Sequence, residues 1–278
     1  MDGLPEAPEP LPLPVIDSHC HLDMRAGIEG LEIDEAVALA AQVGVDRFVQ
    51  VGCDVEGARW SVLAAQRLSP VVATVALHPN EAPRLAEQGG REEFERAMLE
   101  IEQLAVDEAV VAVGETGLDF FRTGDEGRDI QEESFRRHIQ LARRLGKPVV
   151  VHDREAHADV IRVLDDEPSP PAVVLHCFSG DADFAREAVA RGWFCSFAGT
   201  VTFKNAQPLR DALRLVPDEL VLVETDAPYL TPTPHRGRPN SPYLIPHTVR
   251  TMAQVRDQSV EKLCMLLRDN TFRVFGQW

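Results

Sequence analysis

Several features that would assign this chain to a membrane or secreted class are missing from the sequence. No apolar run approaches the roughly 20 residues that a membrane-spanning helix needs. The five cysteines are scattered and form no CxxC pair, so neither a disulfide framework nor a cysteine zinc site is expected. The N-terminus lacks the basic segment and the apolar core of a signal peptide. These absences predict a cytoplasmic protein with reduced thiols and no contact with a membrane.

Basic residues are also scarce. Lys and Arg number 28 against 45 Asp and Glu, which gives a formal net charge of −17. A chain this acidic repels polyanions at long range, whereas a sequence-reading DNA-binding protein carries a basic patch. The charge therefore argues against tight, sequence-specific DNA binding. It does not exclude a hydrolase that meets phosphate groups through bound metal ions.

The length and composition fit one α/β domain behind a short tail. Residues 1–14 alternate Pro with Glu, Leu and Ala and are expected to form an extended N-terminal tail. Residues 15–278 are long enough for a single α/β barrel, which takes about 250 residues. Two smaller domains would also fit this length, so the prediction of one domain over residues 15–278 depends on the order of the elements.

Short Val- and Ile-rich runs alternate with longer amphipathic stretches along the whole chain. The predicted strands are Val15–Asp17, Arg47–Val51, Val71–Leu77, Val110–Gly114, Pro148–Val151, Ala172–Leu175, Trp193–Phe197 and Leu220–Glu224. Near-continuous hydrophobicity is typical of parallel strands that helices cover on the outside. Eight strands, each followed by a helical pattern, predict a (β/α)₈ TIM barrel. On the pattern alone, a doubly wound open sheet is the rival.

Polar residues with metal-ligand chemistry follow or end six of these strands, and His78 after the third strand is one of them. Parallel strands of a barrel deliver their C-terminal ends to one face, where such enzymes have their active sites. Imidazole and carboxylate are ligands that first-row divalent metals accept. A single histidine at a strand end is more often a hydrogen-bonded core residue, but six such groups in ring order are not explained by coincidence. The predicted metal ligands are His19, His21, Glu115, His152, His176 and Asp226.

Four strings of the sequence closely resemble those of the TatD family of metal-dependent DNases. They are Asp17-Ser-His-Cys-His-Leu-Asp23, Gly114-Glu-Thr-Gly-Leu-Asp119, His176-Cys-Phe-Ser-Gly180 and Glu224-Thr-Asp-Ala-Pro-Tyr-Leu230. The resemblance runs from Val15 to the C-terminus. It implies an amidohydrolase-type TIM barrel with two divalent ions at the C-terminal face. It also implies that Glu115 bridges a first ion, bound with His19, His21 and Asp226, and a second ion, bound with His152 and His176.

The activity implied by the resemblance is metal-dependent hydrolysis of DNA, with 3′–5′ exonuclease action on single strands. Asp226 and Glu115 are the predicted catalytic carboxylates, and Asp226 is hypothesised to take the proton from the attacking water. His78 and Arg154 are predicted to contact substrate. The ions are expected to be Mg²⁺, Mn²⁺ or Zn²⁺, since nitrogen ligands favour the softer metals while the resemblance implies the harder ones.

Three alternatives stay open at this point. The same ligands suit ester cleavage on aminoacyl-tRNA, and they suit a small-molecule amidohydrolase or lactonase. The latter often uses a carbamylated lysine between its metals, where this chain has Glu115. A non-catalytic metal-binding scaffold would need a closed coordination shell. Asn80 and Asp153 depart from the residues common in the family, and both departures concern substrate scope.

Overall fold

The computed structural model describes residues 4–24 and 32–278. Contacts divide the chain into two compact units, which are the first unit (Met1–Val49 and Gly180–Gln277) and the second unit (Gln50–Ser179 with Trp278). Residues 1–3 of the predicted tail lie outside the described residues. No helix in the described ranges combines the length and the apolar character needed to cross a bilayer.

Eight strands alternate with helices, and the strands are hydrogen-bonded in sequence order, as a (β/α)₈ fold requires. The strands are β1 (Val15–Cys20), β2 (Val45–Gly52), β3 (Val71–Val75), β4 (Val110–Asp119), β5 (Val149–Arg154), β6 (Val173–Leu175), β7 (Phe194–Phe197) and β8 (Val221–Val223). The helices are α1 (Ile33–Gln42), α2 (Val55–Arg67), α3 (Glu81–Leu104), α4 (Asp125–Leu145), α5 (His157–Asp166), α6 (Ala182–Ala190), α7 (Gln207–Leu215), α8 (Ile245–Val255) and α9 (Val260–Phe275).

In the second unit, β3 to β6 pair in parallel through registers such as Val113↔Val149 and Val151↔Leu175. Except for Val111, their Val and Leu side chains are almost completely buried, which explains why the sequences of these strands are nearly unbroken apolar runs. β4 continues to Asp119, five residues beyond its predicted end. Its polar last residues stay in the sheet because they pair with the end of β5.

In the first unit, β7 pairs in parallel with β8, and β1 lies against β8. Part of the predicted N-terminal tail also contacts this unit. The Leu11 amide donates to Val43 O at 3.0 Å, and the Tyr243 hydroxyl donates to Pro5 O at 2.7 Å. Residues 4–14 contain no helix or strand. The boundary between tail and domain at residue 14 stays a prediction.

Candidate functional site

The first candidate ligand group lies in the first unit and consists of His19, His21 and Asp226. The Nε2 atoms of the two histidines are 3.3 Å apart, and they lie 3.8 Å and 3.4 Å from Asp226 Oδ1. The ligand atoms of the group all lie within 4.8 Å of one another, and both histidines are buried. Two imidazole nitrogens directed at one carboxylate oxygen form a donor set that suits a divalent cation.

Backbone hydrogen bonds between the end of β1 and the segment after β8 position this first group. The Asp226 amide donates to His19 O at 3.0 Å, and the His21 amide donates to Ala227 O at 2.8 Å. Asp17, fully buried in β1, accepts from the Thr225 amide at 2.9 Å and also from the Thr225 hydroxyl. Burial raises the pKa of Asp17 to about 7, although the Thr225 bonds oppose the rise. These bonds hold His19 and Asp226 in place without any contribution from a ligand.

The second candidate ligand group lies in the second unit, around the carboxylate of Glu115. Glu115 Oε1 is 2.6 Å from His152 Nδ1, 2.9 Å from His176 Nε2 and 3.4 Å from His78 Nε2. Burial opposes ionisation, but His176 and His78 hold the pKa of Glu115 well below its usual value. An ionised carboxylate buried among imidazoles is a donor set that suits a divalent cation.

Asp119, at the end of β4, contacts the His152 ring of this second group. Its Oδ2 lies 3.5 Å from His152 Nε2 and accepts from the Asn80 side-chain amide at 2.9 Å. Burial would lower the pKa of His152, but hydrogen bonds with Asp119 and Glu115 raise it above the usual value. Such a carboxylate orients an imidazole ligand and makes it more basic. Asp119 was not predicted as a site residue, although it ends the Gly114–Asp119 string.

The structure therefore brings the six predicted metal ligands into two groups, one in each unit. Bridging of two ions by Glu115 stays a prediction. His78, predicted to contact substrate, lies beside Glu115 in the second group. The guanidinium of Arg154, the other predicted substrate contact, is stacked 3.8 Å from the ring centroid of Phe121.

The two departures from the family pattern have local structural roles. Asn80 links Asp119 to Thr123, whose hydroxyl donates to Asn80 Oδ1 at 2.9 Å. Asp153 Oδ2 lies 2.6 Å from His157 Nδ1, and its Oδ1 accepts from the Ala156 amide at 3.2 Å. Both side chains therefore stabilise the turns that follow β3 and β5.

Two buried polar residues that support the groups were missed by sequence reasoning. His138 of α4 accepts from the Leu77 amide at 3.2 Å, just before His78. Asn240 donates to Thr225 O at 3.0 Å and to Tyr229 O, on either side of Asp226 in sequence. Neither residue ends a strand, so the pattern of polar residues after strands gave no signal for them. A histidine on the apolar face of a helix was the available signal for His138.

Comparisons with known proteins agree with this geometry. The model of the family described as TatD related DNase matches residues 16–276. The Mycobacterium tuberculosis protein named uncharacterized metal-dependent hydrolase TatD is 43% identical over 266 residues, covering 94% of this chain and 98% of the relative. The Escherichia coli K12 protein named uncharacterized metal-dependent hydrolase YcfH is 40% identical over 265 residues, covering 94% of this chain and 95% of the relative.

Among solved structures, the chain is similar to that of YJJV, a TatD homologue from Escherichia coli K12. The TM-score is 0.84 at 28% identity, and the match covers 95% of this chain and 98% of the other. The similarity extends over the whole alternation of strands and helices. The predicted (β/α)₈ class is confirmed.

Proposed function

Because this chain belongs to the TatD-related DNase family of metal-dependent hydrolases, we propose that it cleaves phosphodiester bonds of single-stranded DNA, removing nucleotides from the 3′ end. The observation that carries the proposal is the pair of ligand groups. Each combines buried or partly buried imidazoles with a carboxylate at the C-terminal ends of strands, where (β/α)₈ enzymes perform their chemistry.

In this proposal each group holds one divalent ion. His19, His21 and Asp226 would hold the first, and Glu115, His152 and His176 would hold the second. When bound, two such ions lower the pKa of a water molecule and polarise the phosphate oxygens. The Asp226 carboxylate accepts the proton that the attacking water loses. Asp119 keeps the His152 ring oriented throughout.

The net charge of −17 affects how fast a DNA substrate approaches the enzyme. Long-range repulsion slows the approach of a polyanion, so divalent cations and local positive side chains have to compensate for it. We expect weak binding of DNA with little preference for sequence. Activity should fall as monovalent salt displaces the divalent ions from the DNA backbone.

The test is hydrolysis of a 5′-labelled single-stranded oligonucleotide with Mg²⁺ or Mn²⁺, with and without EDTA. We expect activity that EDTA removes and added Mn²⁺ restores. Asp226→Asn should reduce the rate by at least about 100-fold, as loss of a general base does. Asp183→Asn is the matched control, because Asp183 is exposed on α6 and pairs with Arg186.

Metal content measured on the same preparations completes the test. Wild-type protein should retain divalent ions through gel filtration, and Asp226→Asn should retain fewer. Hydrolysis that resists EDTA, or that survives Asp226→Asn at full rate, would contradict the proposal. A panel of aminoacyl-tRNA and lactone substrates identifies the alternative if only those compounds are cleaved.

A further inference from the structure

An aromatic ring is exposed directly after β4 in the second unit. Phe121 is 57% exposed and is the only aromatic side chain classed as exposed among the described residues of that unit. A single exposed apolar side chain is common on protein surfaces, so the groups around Phe121 decide whether the ring has a binding role. It lies two residues after Asp119, the carboxylate that supports His152.

The backbone around Phe121 is fixed. Asp119 Oδ1 accepts from the amides of Phe121 and Arg122, at 3.1 Å and 2.9 Å, and the Phe120 amide donates to Arg154 O at 2.9 Å. The backbone that carries the ring is therefore anchored to the ends of β4 and β5. A ligand that stacks on it loses little free energy to ordering of the loop, which favours a binding role.

Positive charge accompanies the ring. The Arg154 guanidinium carbon lies 3.8 Å from the Phe121 ring centroid, and Arg122 is exposed next to it in sequence. Neither arginine forms an ion pair with any carboxylate in residues 4–24 and 32–278, although carboxylates outnumber basic residues in this chain. Their charges are therefore available to an anionic ligand. We call Phe121, Arg122 and Arg154 the Phe121 patch.

We propose that the Phe121 patch binds an unpaired base of the substrate, with the base stacked on Phe121 and the adjoining phosphate contacting Arg154. This inference rests on the proposed function and specifies how single strands are selected. Aromatic rings and guanidinium groups together form the usual platform for single-stranded nucleic acid, because every base has a π face. A base inside a duplex is already stacked on its neighbours, so only unpaired or frayed ends reach the ring.

The patch is connected to the second ligand group along two strands. Arg154 follows His152 by two residues on β5, and Asp119 contacts both the His152 ring and the Phe121 amide. A base held on Phe121 would therefore place its own nucleotide next to the segments that carry Glu115 and His152. Phe121 acts as a substrate-binding residue and takes no part in bond cleavage.

The test is fluorescence polarisation of a labelled single-stranded oligonucleotide, with the protein kept metal-free in EDTA so that no cleavage occurs. Phe121→Ala should weaken binding by roughly 5- to 100-fold, the range for loss of one stacked base. Phe121→Trp should restore it. Leu63→Ala is the matched control, because Leu63 is equally apolar and 65% exposed on α2, and it should bind like wild type.

An abasic oligonucleotide distinguishes the loss of base stacking from a general loss of binding caused by misfolding of the variant. An oligonucleotide of abasic sites has no base to stack, so wild type should bind it more weakly and Phe121→Ala should weaken binding of it no further. Arg154→Gln should weaken binding of both oligonucleotides alike, since the phosphates are unchanged. Circular dichroism and thermal melting confirm that each variant is folded.

Equal affinity of Phe121→Ala and wild type for the normal oligonucleotide would overturn the inference. Equal weakening by Phe121→Ala on normal and abasic strands would overturn it too, as would no detectable wild-type binding. A different result is expected if the stacking proposal is correct and the proposed nuclease function is wrong. In that case Phe121-dependent binding is measured in EDTA, but no cleavage follows when metal is added.

Discussion

Protonation of His138 should destabilise the protein as the pH falls. Both ring nitrogens of this fully buried residue of α4 have backbone partners. Nε2 accepts from the Leu77 amide at 3.2 Å, and Nδ1 lies 2.7 Å from Ser134 O, to which it donates. A proton added at Nε2 would face the Leu77 N–H, so the neutral ring is required. Burial accordingly lowers the pKa of His138 from 6.5 to about 4.

The change in stability with pH follows from the difference between the pKa of His138 in the unfolded and the folded protein. The unfolded chain takes up the proton near pH 6.5 and the folded protein only near pH 4, so stability is complete above 6.5 and is lost as the pH falls. The full loss corresponds to about 3 kcal/mol, of which about 2 kcal/mol is reached at pH 5. His138→Gln can still accept from Leu77 through Oε1, but it does not titrate.

The assay is urea unfolding of metal-free wild type and His138→Gln at pH 7.5 and pH 5.0. Other titrating groups are common to both proteins and cancel in the comparison. We expect the free energy of unfolding of wild type to fall by about 2 kcal/mol more than that of the variant between the two pH values. The same fall in both proteins would refute the reasoning, since it would mean that His138 does not resist protonation in the fold.

Three further predictions follow from residues around the two ligand groups. Gly117→Ala should lower the free energy of unfolding by more than about 3 kcal/mol, because Gly117 has φ +141° and an added Cβ would lie 2.0 Å from His152 O. Gly146→Ala, at φ +64° with no atom within 4 Å, should cost only about 1 kcal/mol in the same urea titration. Asn240→Ala removes the donor to the buried Thr225 carbonyl and to the partly buried Tyr229 carbonyl, so thermal unfolding should show a loss of about 1–3 kcal/mol, and a loss below about 0.5 kcal/mol would contradict this role. Dialysis against EDTA should lower the melting temperature of wild type and added Mn²⁺ or Zn²⁺ should raise it again, whereas an unchanged melting temperature would argue against bound ions.

Much of the fold was predictable because its strands are buried on both faces. Runs such as Val71–Leu77 and Val110–Gly114 contain little besides Val, Ala and Leu, and each begins where a strand of the structure begins. The boundaries were less predictable where polar residues continue an element. α3, for example, runs from Glu81 to Leu104 through a kink at Gly90, although a Gly-Gly pair is a signal that usually interrupts a helix.

The metal ligands of the candidate site were predictable because residue type and position after a strand are both visible in the sequence. His19 and His21 are two residues apart, and Glu115, His152 and His176 each end or follow an apolar run, so their residue types and positions point to ligands. Asp17 and Asn240 could not be assigned in this way. Their importance depends on partners such as Thr225, which lies 208 residues from Asp17. A sequence does not show which distant backbone group a buried polar side chain reaches.

The two ligand groups differ in when their residues are synthesised, because Asp17 and Thr225 are 208 residues apart. Residues 78–176, which supply every member of the second ligand group, are translated as one continuous segment. The first ligand group is incomplete on the ribosome until Asp226 and its neighbour Thr225 emerge, since both His19 and Asp17 have their partners there. A nascent chain paused before β8 therefore carries His19 and His21 without the carboxylate that lies beside both of them in the folded protein.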